Sequence, residues 1–372
     1  MTDPSRADHE PFGRALAEVG AATLRGLHGL EATFRHLHPP EIPRLREGAE
    51  RLLAGLEPAL SDFRQAASPS GAEPVHERLR SGAEQVAAAL GSFLEEGGAG
   101  GPVASVLSAM RLHAHAQETL YPLATVLPPV SRFFAEAEWH DRLADLEPRI
   151  VAEGESSVGM HRAAAPDGGE RERFVLYVPE WLEAGVPRPL IVALHGGSGS
   201  GREFLWTWLR EARSRGCFLL APSSRGSTWS LHAPPLDAAQ LRSMVEYVCE
   251  NWSVDPHRVL LTGLSDGATF TLLAGLSEGA PYTHLAPVSG VLHPLHFATG
   301  NSERATDKPI YLVHGALDWM FQVSLARAAR DSLEEAGAAL VFREIENLSH
   351  AYPREENERI LRWFDPGAAL PK

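Results

Sequence analysis

The pentapeptide Gly263-Leu264-Ser265-Asp266-Gly267 sets a serine between two glycines in the pattern G-x-S-x-G. The apolar run Val259 to Thr262 precedes it, and a helical pattern beginning at Ala268 follows. A serine on a tight turn between a strand and a helix is raised above the carboxyl edge of a sheet, at a helix end that favours developing negative charge. The two glycines leave room where neighbouring backbone comes close. The chemistry this predicts is nucleophilic attack by Ser265 on a carbonyl carbon. An ordinary strand-to-helix turn has the same spacing, so the pentapeptide alone decides little.

A serine hydroxyl needs a base, and the base needs an orienting carboxylate. Downstream, His314-Gly315-Ala316-Leu317-Asp318 follows the apolar run Ile310 to Val313, and Asn347-Leu348-Ser349-His350 follows the run Leu340 to Ile345. Both therefore sit just past strand ends, in the chain order serine, acid, histidine. Asp318 is the expected acid and His350 the expected base. His284, His293, His296 and His314 are rival histidines; His314 precedes the acid and is expected to pack or hydrogen-bond beside it. Glu344 and Glu346 are rival acids, placed in or beside a strand.

A tetrahedral oxyanion needs two aimed N–H donors. One is expected from Asp266, the residue after the nucleophile. The other is expected from Gly197, in the loop His195-Gly196-Gly197-Ser198-Gly199-Ser200-Gly201 after the apolar run Leu190 to Leu194. The loop lacks the Gly-Lys-Ser/Thr ending of a phosphate cradle. Substrate walls are expected from loops. Trp229, after a strand end, is one candidate, His293 in the loop past Val288 a second, and Trp319 beside the acid a third; His293 also reads as a surface residue and Trp229 as a structural one.

The elements that must hold these residues divide near residue 150. Before it, five amphipathic helices are predicted, over 11–37, 45–63, 75–94, 102–121 and 129–146, with no convincing strand. After it, short apolar strands (174–178, 190–194, 217–220, 259–262, 285–288, 310–313 and 340–345) alternate with helices (238–251, 268–276, 323–335 and 354–364). That alternation predicts a mainly parallel sheet covered on both faces, an α/β catalytic domain over 151–372 preceded by an all-helical domain over 1–150.

Composition bounds the partners. The chain has 372 residues and a formal net charge of −14, so phosphate backbones would be repelled and no nucleic-acid partner is expected. Its two cysteines, Cys217 and Cys249, make no disulfide framework and are read as reduced thiols. No apolar run approaches a membrane span and no leader is apparent, which predicts a cytoplasmic protein. His113-x-His115 and His36-x-His38 lack further ligands at regular spacing, so no metal is expected. No cofactor is required by the chemistry above.

With those motifs in hand, the C-terminal part resembles the α/β-hydrolase superfamily. Within it, the Leu194-His195-Gly196-Gly197 stretch, the Gly263–Gly267 turn and the late Asp318 and His350 are similar to the phospholipase/carboxylesterase group. They are also similar to feruloyl esterases and polyhydroxybutyrate-depolymerase-like esterases. The resemblance covers about 155 to 365. It implies hydrolysis of a small-molecule carboxylic ester through an acyl-enzyme on Ser265. A thioesterase or acyltransferase would use the same triad, and a peptidase or a non-catalytic binding protein could share the fold. The stretch between Ser265 and Asp318 is too short for a cap domain. The N-terminal helices match no family and are candidates for a lid or a homo-oligomer interface.

Overall fold

In the first third of the chain, apolar residues recur every three or four positions and collapse helix on helix. The computed structural model describes residues 4–95, 101–140, 158–164, 172–180 and 185–366. The chain divides into two units, Met1–Leu143 and Ala144–Lys372. The first carries α1 (Pro4–Arg35), α2 (Ile42–Gln65), α3 (Glu73–Leu94) and α4 (Gly101–Leu120). Leu56, Leu60 and Phe63 of α2 and Val86, Leu90 and Phe93 of α3 are buried at i, i+4, i+7 spacing. Each such side chain contributes roughly 1.5–3 kcal/mol by leaving water. The buried hydroxyls of Thr23 and Thr33 donate to the carbonyls of Val19 and Gly29 at 2.7 and 2.8 Å, so both are paired inside that core.

The fifth predicted helix differs. Helix α5 spans only Pro128–Phe133, and a single 3-10 turn, Ala137–Trp139, follows. Phe134 leaves helical geometry at φ −91°, ψ 26°, and its buried ring packs edge-on against Tyr121 at 5.1 Å and Phe133 at 4.9 Å. Aromatic packing wins over helix continuation there. The remainder of that predicted helix lies outside the described residues.

The second unit is built on one eight-stranded sheet, ordered β1-β2-β4-β3-β5-β6-β7-β8. The strands are β1 (Gly159–Ala163), β2 (Phe174–Val178), β3 (Arg188–Leu194), β4 (Phe218–Pro222), β5 (Val254–Leu264), β6 (His284–Val288), β7 (Pro309–Gly315) and β8 (Ala339–Ile345). β1–β2 and β2–β4 pair antiparallel, and every other neighbour pair is parallel. The connecting helices are α6 (Gly201–Phe204), α7 (Leu209–Arg215), α8 (Pro235–Asn251), α9 (Asp266–Gly275), α10 (Leu295–Ala298), α11 (Val323–Glu335) and α12 (Glu356–Phe364). Leu190, Val192, Leu194, Leu261, Phe270 and Leu285 lie at the centre of the core. β1, α6, α7 and α10 add to the sequence-predicted elements. β1 is an edge strand of half-exposed Met160, His161 and exposed Arg162, which carries no apolar alternation to reveal it.

In the register Leu194 faces Gly263, Leu264 faces Val288 and Gly315 faces Ile345. The chain therefore leaves β3, β5, β6, β7 and β8 at a common carboxyl edge, the place where open α/β sheets gather functional residues. Among the described residues no helix is long and apolar enough to cross a membrane.

Candidate active site

Ser265 links β5 to α9 with φ 59° and ψ −118°, a conformation costing a non-glycine residue on the order of 1–3 kcal/mol. Its N–H donates to Val288 O at 3.0 Å, and its carbonyl accepts from Thr269 N–H at 2.9 Å, so neighbouring strand and helix hold the strain. The flanking glycines let the turn close. A Cβ on Gly267 would stand 2.5 Å from the carbonyl oxygens of Leu194 and His195, and one on Gly263 would stand 2.5 Å from that of Gly267.

His350 reaches this serine from the loop after β8. Its Nε2 is 3.0 Å from Ser265 Oγ, and its Nδ1 is 2.8 Å from Asp318 Oδ2. A carboxylate only accepts, so Nδ1 carries the proton and Nε2 offers its lone pair to the serine hydroxyl. Asp318 is buried in the loop after β7, where its Oδ1 accepts from the N–H groups of Met320 and Phe321 at 2.9 and 2.8 Å. Burial pushes its carboxyl up, but the bonds from His350 and Phe321 N–H, with the imidazoles of His350 and His314 nearby, outweigh burial and hold it below the usual range. Phe321 also sets its ring edge-on to His350 at 5.3 Å. A hydroxyl placed this way can pass its proton to the ring as its oxygen attacks.

The rivals are elsewhere. His284 opens β6 at the opposite sheet edge, edge-on to Trp363 and Phe364 at 4.9 and 5.0 Å. Glu344 pairs with Arg327 at 2.6 Å. His314 lies directly behind the acid, its Nε2 3.4 Å from Asp318 Oδ2.

Gly196 brings the glycine-rich loop against the serine, since its Cβ would stand 3.5 Å from Ser265 Cβ. Neither Gly197 N–H nor Asp266 N–H finds an acceptor among the described residues, so both are open to a ligand oxygen. The Asp266 carboxylate lies over Gly197, where a Cβ would stand 2.8 Å from Oδ2, and Thr228 Oγ1 donates to that oxygen at 2.7 Å. His195 bolts the loop in place. Its Nδ1–H donates to Gly196 O at 2.6 Å, and its Nε2 accepts from Ser224 N–H at 3.1 Å. Sequence reasoning missed His195, Thr228 and Phe321 as supports; the only signal for His195 was its place directly after β3.

The candidate walls divide. Trp229 fits its structural alternative: it is 2% exposed, stacks on Phe270 at 5.3 Å, and donates Nε1–H to His195 O at 2.8 Å. The core beneath the loop, absent from any local pattern, claims the indole. His293 is half-buried. Its ring lies 5.9 Å from that of His232, and its Nδ1 accepts from Leu295 N–H at 3.3 Å, with no bond to Ser265, Asp318 or His350 among the described residues. Burial, and then His232, push its pKa down. Trp319 is 56% exposed and, with Met320 and Leu317, presents apolar surface beside the acid.

Residues 236–365 match the family described as Phospholipase/Carboxylesterase. The C-terminal part has the α/β-hydrolase fold, and within it residues 236–365 are similar to esterases. The chain is also similar to an acetylxylan esterase of Coprinopsis cinerea, 30% identical over 95 residues, which cover 22% of this chain and 25% of that one. Among solved structures it is similar to a thermostable esterase (TM-score 0.47, 22% identity, 56% of this chain and 62% of that one). Another is the acetyl xylan esterase from Aspergillus awamori (TM-score 0.45, 15% identity, 57% of this chain and 100% of that one). The chain thus spans about a quarter of the curated relative and less than two thirds of the thermostable esterase.

Proposed function

We propose that the chain is a serine esterase in which Ser265, His350 and Asp318 act as a triad on a small-molecule carboxylic ester. The observation that carries this is the continuous chain of bonds from Ser265 Oγ to His350 Nε2 at 3.0 Å and from His350 Nδ1 to Asp318 Oδ2 at 2.8 Å, at a serine held at positive φ. Ser265 Oγ bonds to the ester carbonyl carbon while its proton passes to His350 Nε2. The carbonyl oxygen becomes an anion between the N–H groups of Gly197 and Asp266; one such donor is typically worth about 10²–10³ in kcat. The carbon–oxygen bond to the alcohol then breaks, and His350 returns its proton to the leaving oxygen. Water, deprotonated by the same ring, attacks the acyl-enzyme, releases the acid and restores Ser265. Asp318 keeps the ring in the required tautomer and stabilises its charged form.

Hydrolysis of p-nitrophenyl esters from acetate to long acyl chains, by wild type and Ser265→Ala, tests this reading. The similarity to acetylxylan esterase makes acetate the first member to try. Turnover by the wild type, with a folded Ser265→Ala protein slowed by about 10³-fold or more, is the expected result. Equal rates in the two proteins would sink it, and a strong preference for acyl thioesters would move it to a thioesterase.

A further inference from the structure

His314 is fully buried, two strands from the nucleophile, and its neighbours fix which nitrogen carries the proton. Nε2 lies 2.7 Å from the carbonyl oxygen of Phe321 and 3.4 Å from Asp318 Oδ2. Both atoms only accept, so Nε2 is the N–H, bonded to Phe321 O with its positive edge turned to the carboxylate. The opposite tautomer would set a lone pair against two oxygens. Nδ1 is buried and has no partner among the described residues. A second proton there would charge the ring where burial opposes charge. The ionisable groups around it are Asp318, His350 beyond Asp318, and Glu344, its register partner on β8, whose carboxylate is taken up by Arg327. Burial pushes the His314 pKa down against the Phe321 carbonyl and Asp318, which keeps it a neutral donor.

Resting on the triad reading above, we infer that His314 is a positioning residue for Asp318: its Nε2–H ties Phe321 back onto β7, closing the loop around the acid, and gives the carboxylate a second imidazole edge. The loop closes twice through Phe321. Its N–H donates to Asp318 Oδ1 at 2.8 Å while its carbonyl accepts from His314, and its ring lies against His350. Without the Nε2–H, the Phe321 carbonyl loses its bond, the Phe321 N–H leaves its line to Oδ1, and Oδ2 is free to swing from His350. The direct contact at 3.4 Å is long for a hydrogen bond. The main route of action is therefore the Phe321 backbone.

The test uses the full chain and a p-nitrophenyl ester turned over by wild type but not by Ser265→Ala. His314→Phe fills the volume without a donor, whereas in His314→Gln the side-chain amide nitrogen occupies nearly the position of Nε2. His314→Phe is expected to lower kcat about tenfold with KM nearly unchanged, as small misplacements of catalytic groups do. It should also shift or broaden the low-field proton resonance of His350 Nδ1–H. His314→Gln should recover most of both. Wild-type kcat and resonance in His314→Phe, or a glutamine variant as impaired as the phenylalanine one, overturns the inference. Nitrogen shifts of 15N-histidine-labelled wild type decide the tautomer whether or not the variants fold: Nε2–H at neutral pH supports it, and Nδ1–H overturns it. Loss of the triad reading itself would show separately, as turnover that does not depend on Ser265.

Discussion

The loops after β3 and β7 arrive at the same sheet edge by opposite means. After β7 the proposed functional part is a side chain, and backbone holds it: the Asp318 carboxylate is gripped by the N–H groups of Met320 and Phe321. After β3 the proposed functional part is backbone, and side chains hold it: His195 clamps the carbonyl of Gly196, Trp229 clamps that of His195, and Thr228 fixes the Asp266 carboxylate above Gly197. Substitution in the first loop changes the proposed orienting carboxylate directly. In the second it can act only by moving the backbone. The two loops should accordingly fail by different amounts and in different kinetic parameters.

The largest effect is expected from Asp318→Asn. An amide nitrogen facing His350 would repel Nδ1–H and favour the other tautomer, leaving Nε2 no lone pair for Ser265 Oγ. A loss of kcat of roughly a thousandfold or more is expected at neutral pH, with KM nearly unchanged and the fold retained, as tautomer reversal costs about that in other triads. Steady-state kinetics with a melting curve checks it. A loss under tenfold would mean that Asp318 does not orient the base.

That contrast also explains what the sequence could reveal. Ser265, Asp318 and His350 were legible because side-chain chemistry demands particular residue types, and each follows a strand whose apolar run is visible: β7 was read as 310–313 and spans Pro309–Gly315. Gly197 was legible only as permissiveness, since a glycine reports close approach and not what approaches. Trp229 was left between wall and structural support because its partners, Phe270 and the His195 carbonyl, are 41 and 34 residues away in sequence. A buried indole and a pocket-lining indole look alike in one dimension. The fold shows the same division: α11 was read at its observed bounds from local periodicity, whereas α5 stops early because Phe134 turns to pack on Tyr121.

Gly197→Ala tests the backbone loop at intermediate size. The added methyl would meet Asp266 Oδ2 at 2.8 Å. The carboxylate can yield, as the end of a side chain, but only by stretching its bond from Thr228. A fall in kcat of about tenfold is expected, less than loss of a whole oxyanion donor, because the N–H remains but is displaced. Thr228→Val should then reduce the penalty by freeing Asp266 to move. Equal penalties with and without the Thr228 hydroxyl would show that the methyl acts on something other than this contact.

The smallest effect is expected from Trp229→Phe, and it separates the two roles an indole could have here. Phenylalanine keeps an aromatic face for the stack on Phe270 but removes the donor to His195 O. That carbonyl is then buried without its partner, which costs about 1–3 kcal/mol of stability. The loop that carries Gly197 loosens slightly, so kcat should fall by about threefold or less, well inside the range a small misplacement produces. Because Trp229 is only 2% exposed, KM and the acyl-chain preference should not change. An altered chain-length optimum would return Trp229 to the pocket wall and place the difference between the two loops in substrate contact instead of backbone support.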